Sequence, residues 1–280
     1  MNQRPQAKLK AALDLAFNDY HHEKQSRLDP ISLVYPFANP KDREVIAFFV
    51  ALISYGNVAT ILKSGEKLLL PLGKNPLDYL KSNEKLDLWR GFKHRFTTGD
   101  DIEILAHWVR GALKAQGSLE GFFVHSNPNP LAPMKVKLSQ FVRGLTVQPL
   151  PSHLKPFLKL RSRNLKYLLS DPEQGSACKR LNMFLRWVVR PNDGVDLGLW
   201  KQISTSELML PLDTHIVQTL KKLKWIRTEN TNWKTVETVT HKLREISKSD
   251  PIRYDFALCH LSMSGGSFKH YQNLSTPTES

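Results

Sequence analysis

Lys179 and Asp213 are the two residues of this 280-residue chain whose types and settings could cut a glycosidic bond. A primary amine becomes a nucleophile once it sheds its proton, and a carboxylate beside it can assist that loss or steady positive charge growing on a sugar. Lys179 lies in GSACKRLNMFLRWVVR, which starts at Gly175, and Asp213 lies in MLPLDTHIVQTLKKLKW. The remaining residue types offer less. Cys178 and Cys259 read as small core residues, and His215 as a polar surface residue that could reach a substrate. No set of His and Cys has metal-ligand spacing and GxGxxG is absent, so neither a metal nor a cofactor is expected.

The elements that must carry the pair are helices. Ala177, Leu181, Phe184, Leu185 and Val188 recur at helical spacing, with Lys179, Asn182, Arg186 and Arg190 on the opposite side, so this helix carries an apolar and a basic stripe. Gly175 permits a tight turn before it, and Ser176 is placed to cap its start. Asp213 is placed as the N-cap of the next helix, whose apolar positions are Ile216, Val217, Leu220 and Leu223. Lys221, Lys222 and Lys224 fall in its last turn, where positive charge suits the helix dipole.

Helical spacing recurs elsewhere and no strand-period segment of useful length appears, so the chain is expected to be all-α. One amphipathic helix is expected over residues 7–20. Asn39 and Pro40 then cap and open a helix over Lys41–Tyr55 that is apolar nearly all round and belongs inside a bundle. Asn57 can cap a helix over Val58–Leu70; another starts at Asp100 or Asp101 and stops at Gly117. Ser204 and Glu207 have capping-box spacing, Thr235–Ile246 is helical, and a last helix starts at Asp250-Pro251 and ends at Gly265-Gly266. Between Trp89 and Phe96, WRGFKHRF alternates aromatic and basic residues. It reads as a packed linker with its cations in water, the alternative being a nucleic-acid contact.

A formal charge of +14, from 40 Lys and Arg against 26 Asp and Glu, favours a polyanionic partner. Lys155, Lys159, Arg161, Arg163 and Lys166 cluster just before the lysine helix, as a phosphate contact or as a solvated helix face. The longest apolar run, Val45–Tyr55, is too short to span a bilayer, and the N-terminus lacks a signal-peptide apolar region. The expected setting is therefore cytoplasmic, with no membrane partner and no structural disulfide. Two cysteines cannot ligate a four-cysteine iron–sulfur cluster.

PLDTH, Pro211–His215, together with the helix bearing Lys179, resembles the helix-hairpin-helix DNA glycosylase superfamily, in which a hairpin helix presents a lysine and a PVDTH-like segment an aspartate. The separation of 34 positions, 179 to 213, is longer than in the endonuclease III branch and is similar to the archaeal 8-oxoguanine DNA glycosylase branch. ALISYGN (Ala51–Asn57) is similar to that branch's buried helix, and YDFALCHLSMSGG (Tyr254–Gly266) to its closing helix. An uncharacterised bacterial family shares these blocks. The chain departs from the pattern in lacking LPGVG, since DPEQGSACK holds a single glycine, and in having Cys259 where the archaeal enzymes have a tryptophan.

The resemblance implies two lobes: a six-helix barrel-like lobe over 42–190, and a second lobe from 1–41 with 195–270; the polar tail at 271–280 reads as disordered from its composition. The resemblance also implies a monomeric DNA-repair glycosylase, with lyase activity, that excises an oxidised base such as 8-oxoguanine from damaged duplex DNA. Lys179 and Asp213 would be catalytic; Asp255, His215 and Asn57 would contact substrate; Gly175, Ser176, Arg180, Arg161 and Arg163 would hold DNA. The alternative readings are a non-catalytic nucleic-acid-binding protein and an RNA-processing enzyme on the same scaffold.

Overall fold

Asn39 sets its side-chain oxygen on the amide of Lys41, Pro40 takes the first helical position, and the helix that follows runs Pro40–Ile53. Every residue from Val45 to Ile53 is fully buried, as a helix apolar on all sides requires. It stops two residues short of Tyr55, because Ser54 leaves helical geometry and Gly56 turns with φ 97°. The structure, a computed structural model, describes residues 3–82, 85–227 and 230–274.

Around this central rod pack the helices Val58–Leu69, Pro76–Lys81, Gly99–Gln116, Leu119–His125, Met134–Thr146 and the lysine helix Lys179–Val189. Phe48 meets Phe184 of the lysine helix edge-on at 5.1 Å and Phe141 at 6.0 Å, contacts that seat the lysine helix against the rod. Glu44 is buried in the rod. Its carboxylate accepts from the amides of Leu119 and Glu120, at 3.0 and 2.8 Å, and from Trp200 Nε1 at 2.7 Å. That carboxylate caps a helix that is remote in sequence, a link no local pattern announces.

Fifteen α-helices occur among the described residues, joined by one two-stranded hairpin, so the chain is all-α. Nine of them fall within 40–190. The basic segment before the lysine helix forms two of these, Lys155–Leu160 and Ser162–Leu168. The N-terminal helix Gln3–Tyr20 packs on Asp255–Met263 and Phe268–Leu274, and Thr214–Lys222 packs on Asp255–Met263. A single hydrophobic core, from Ala12 to Tyr271, runs through both groups of helices without a break.

Three expectations are corrected. The last strongly apolar helix begins at Asp255, because residues 251–254 form a turn. A further helix, Phe268–Leu274, follows the glycine pair and buries Phe268 and Tyr271, so the segment from 271 to 274 is ordered. The rest of the expected tail, 275–280, lies outside the described residues. Finally, WRGFKHRF holds the hairpin, Lys93–His94 paired with Thr97–Thr98, too short for a strand period to show. Trp89 and His94 are buried there, and Trp89 Nε1 donates to Leu68 O at 2.9 Å, as the packed reading expects. Phe96, at the tip, stays 42% exposed against Tyr167 at 4.8 Å.

Candidate active site

Lys179 opens its helix, and the loop before it is unusual. Gly175 takes φ 86°, where an added Cβ would meet nothing within 4 Å, so conformation and not space calls for glycine. Cys178 is the N-cap, in a left-handed conformation with φ 47° and no side-chain cap. Ser176 does not cap the helix: its Oγ accepts from Cys178 N at 3.2 Å and ties down the loop. That loop is also bound to the segment before the Trp233–Ile246 helix. Trp233 N donates to Gly175 O at 3.0 Å, and Ser176 and Asn232 form a β-bridge.

Asp213 has extended geometry at the N-cap of Thr214–Lys222, and its Oδ1 accepts from Ile216 N at 2.9 Å. The other oxygen, Oδ2, lies 4.0 Å from Lys179 Nζ and accepts from the thiol of Cys259 at 3.5 Å. The amine and the carboxylate, brought from separate helices, therefore face each other at a cleft of about 890 Å³. Tyr55, Tyr167 and Lys166 stand on one wall; Asp255, Phe256 and Met263 come from the closing helix.

The polar stripe of the lysine helix is not a solvent face. Asn182, Arg186 and Arg190 are buried. Arg186 Nε donates to Asp196 Oδ1 at 3.2 Å and Nη1 to Asp255 Oδ2 at 2.6 Å, while Arg190 binds Asp196 and Asp250. Burial pushes Asp255 up to about 6, against the pull of Arg186 and with the push of Asp213 and Asp196. Asp255 thus lines the cleft clamped by an arginine.

The other candidates divide. His215 is exposed at the cleft. Asn57 does not line it; its Oδ1 is committed to the amides of Ala59 and Thr60 as a helix cap. Arg180 is buried, donates to Leu52 O at 2.6 Å and to Tyr167 O, and lies over the Tyr167 ring at 4.1 Å, which removes it from phosphate contact. Arg161 is likewise engaged, gripping the fully buried Asp101 at 2.9 and 2.5 Å. Lys155, Lys159, Arg163 and Lys166 remain exposed. Cys178 is buried, its thiol pushed up to about 11 by burial.

Cys259 and Arg186 are site residues that the sequence did not reveal. A cysteine among apolar neighbours and an arginine on a polar stripe carry no sign of the carboxylates they will meet. Among the described residues His21, Asp193 and Asp196 lie close enough to share an ion, but both Asp196 oxygens are already held by Arg186 and Arg190, and none of the three lines the cleft.

Residues 29–264 match the family described as "Protein of unknown function (DUF2400)". No curated protein matches the chain, and no solved structure does.

Proposed function

The chain belongs to the DUF2400 family, and we propose that it is a monomeric DNA glycosylase with lyase activity in which Lys179 is the nucleophile and Asp213 its partner. The observation that carries this reading is the 4.0 Å approach of Lys179 Nζ to Asp213 Oδ2 at a cleft large enough to admit a nucleotide. The target base would be swung out of the duplex into that cleft, at a cost of a few kcal/mol in lost stacking.

The steps follow from the two groups. The neutral amine attacks C1′ of the deoxyribose, and the N-glycosidic bond breaks with its electron pair leaving on the base, which takes up a proton. Asp213, ionised, steadies positive charge on the sugar during bond breaking, and then accepts the proton that the nitrogen sheds once it is bonded to C1′. The sugar ring then opens to an imine between Nζ and C1′. Loss of a C2′ proton expels the 3′-phosphate, which cuts the strand. Arg163 and Lys166 are exposed near the lysine helix for phosphate, and Phe96 and Tyr167 are partly exposed for stacking, Phe96 packed on Tyr55 and Tyr167 under Arg180. Asp255 and His215 offer polar contacts to the extruded base, with 8-oxoguanine the first lesion to test.

The test is borohydride trapping on duplexes that each carry one lesion. A covalent protein–DNA adduct is expected with an oxidised purine, and Lys179→Gln should abolish it together with base release. No adduct and no base release across the panel would overturn the reading. If affinity for duplex DNA persisted in that case, the non-catalytic binding protein would stand in its place; tighter binding to structured RNA at the same salt would favour the RNA enzyme.

A further inference from the structure

We propose that Cys259 is a positioning residue, whose S–H bond to Asp213 Oδ2 holds that oxygen short of a hydrogen bond with the Lys179 amine. The inference rests on reading Lys179 and Asp213 as the reacting pair. Asp213 has two oxygens to place. Oδ1 is fixed by the amide of Ile216 at 2.9 Å. Oδ2 has the Cys259 thiol at 3.5 Å and the amine at 4.0 Å. An ammonium and a carboxylate left to themselves close to charge-assisted hydrogen-bond distance. Lys10 and Asp14 do so in this protein, at 2.6 Å. At the cleft the corresponding pair stays open.

The thiol is equipped to keep it so. Cys259 lies on the Asp255–Met263 helix, and its sulfur also has Met263 Sδ at 3.9 Å. A carboxylate oxygen is a far better acceptor than a thioether, so the S–H points to Asp213. Burial, with the nearby charges of Asp213 and Asp255, raises the thiol well above its ordinary range and keeps its proton in place. The consequence is chemical. An amine locked in a tight ion pair holds its proton and has no free lone pair, whereas an amine held one step away gives its proton to water more readily and keeps a lone pair with which to attack.

Other charged groups face the same cleft. Asp29 comes from the turn that opens at Pro30, Asp171 and Lys166 from before the lysine helix, and Arg180 and Arg186 from the lysine helix itself. His215 lies on the Asp213 helix, and Asp255 and His260 on the closing helix. Asp213 is the partner with which Lys179 makes an ion pair among the described residues.

The test reads the amine directly and needs no substrate. The 13Cε resonance of Lys179, in 13C-lysine protein and assigned by its loss in Lys179→Arg, is followed against pH. In Cys259→Ala and in the closer-packed Cys259→Val, Oδ2 is released to the amine, and the midpoint should rise by about one pH unit. Cys259→Ser keeps a donor and should restore the wild-type midpoint. Thermal melts identify which variants are folded, and either donor-free variant suffices. An unchanged midpoint in a folded donor-free variant, or a serine variant shifted as far as alanine, would overturn the proposal. Because the titration proceeds without DNA, failure of borohydride trapping sinks the proposed reaction while leaving this measurement readable.

Discussion

Arg186 Nη1 donates to Asp255 Oδ2 at 2.6 Å in the lining of the cleft, while its Nε holds Asp196. One guanidinium thereby joins the lysine helix, the loop after it and the closing helix. Burial costs Arg186 some of its affinity for the proton, but Asp196, Asp255 and Asp29 more than restore it, so the arginine stays charged across the working range of pH.

The carboxyl partner gives this clamp a pH signature. Asp255, pushed up to about 6, binds its proton more tightly in the folded chain than in the unfolded one, where an aspartate titrates near 3.8. Between those values unfolding releases a proton, so this group's contribution to stability is present at low pH, is lost as pH rises through about 6, and is flat above. Urea melts of wild type and Asp255→Asn across pH 3.5 to 7.5 should differ by that slope. Parallel curves would show that Asp255 does not titrate there.

Asp213→Asn separates two roles of one side chain. Asparagine caps a helix about as well as aspartate, so the bond to Ile216 N survives and stability should stay within about 0.5 kcal/mol. Adduct formation and base release should fall at least tenfold, because the charge facing Lys179 is gone. Full turnover in this variant would assign Asp213 to capping alone.

The two arginines of the basic segment should behave differently. Arg161→Ser strands the buried Asp101 with fewer donors and should cost about 2–3 kcal/mol in thermal or urea melts. Arg163→Ser, at an exposed position, should leave the melt unchanged and lower the log–log salt slope of DNA binding by about one. Equal effects on stability would contradict the geometry.

Phe48→Ala removes the ring that seats the lysine helix on the central rod. A loss of about 3–5 kcal/mol is expected, read from the urea midpoint, since the ring is fully buried and its removal leaves a cavity beside Phe184 and Phe141. A loss under about 1 kcal/mol would mean that the two helices are held together elsewhere.

What the sequence disclosed follows the range of the forces involved. The Asn39-Pro40 cap, the buried run from Val45 and the Asp213 cap are local, decided by residues within one or two turns, and all were legible. The Lys179–Asp213 approach was legible only through a resemblance, because no periodicity reports distance across 34 positions. Arg186 and Arg190 misled for the same reason. On a helix they mark a solvent face, until Asp196, Asp250 and Asp255 arrive from elsewhere in the chain. Ser176 lost its expected capping role to backbone geometry, since the left-handed Cys178 shifts the helix start past its reach.

The bond from Trp233 to Gly175 and the bridge between Ser176 and Asn232 stitch the loop bearing the lysine to the segment after the aspartate's helix. Lys179 therefore starts its helix from a loop moored by main chain on both sides of Asn232, so a change at Asn232 or Trp233 is felt at the mouth of the cleft without touching either member of the pair.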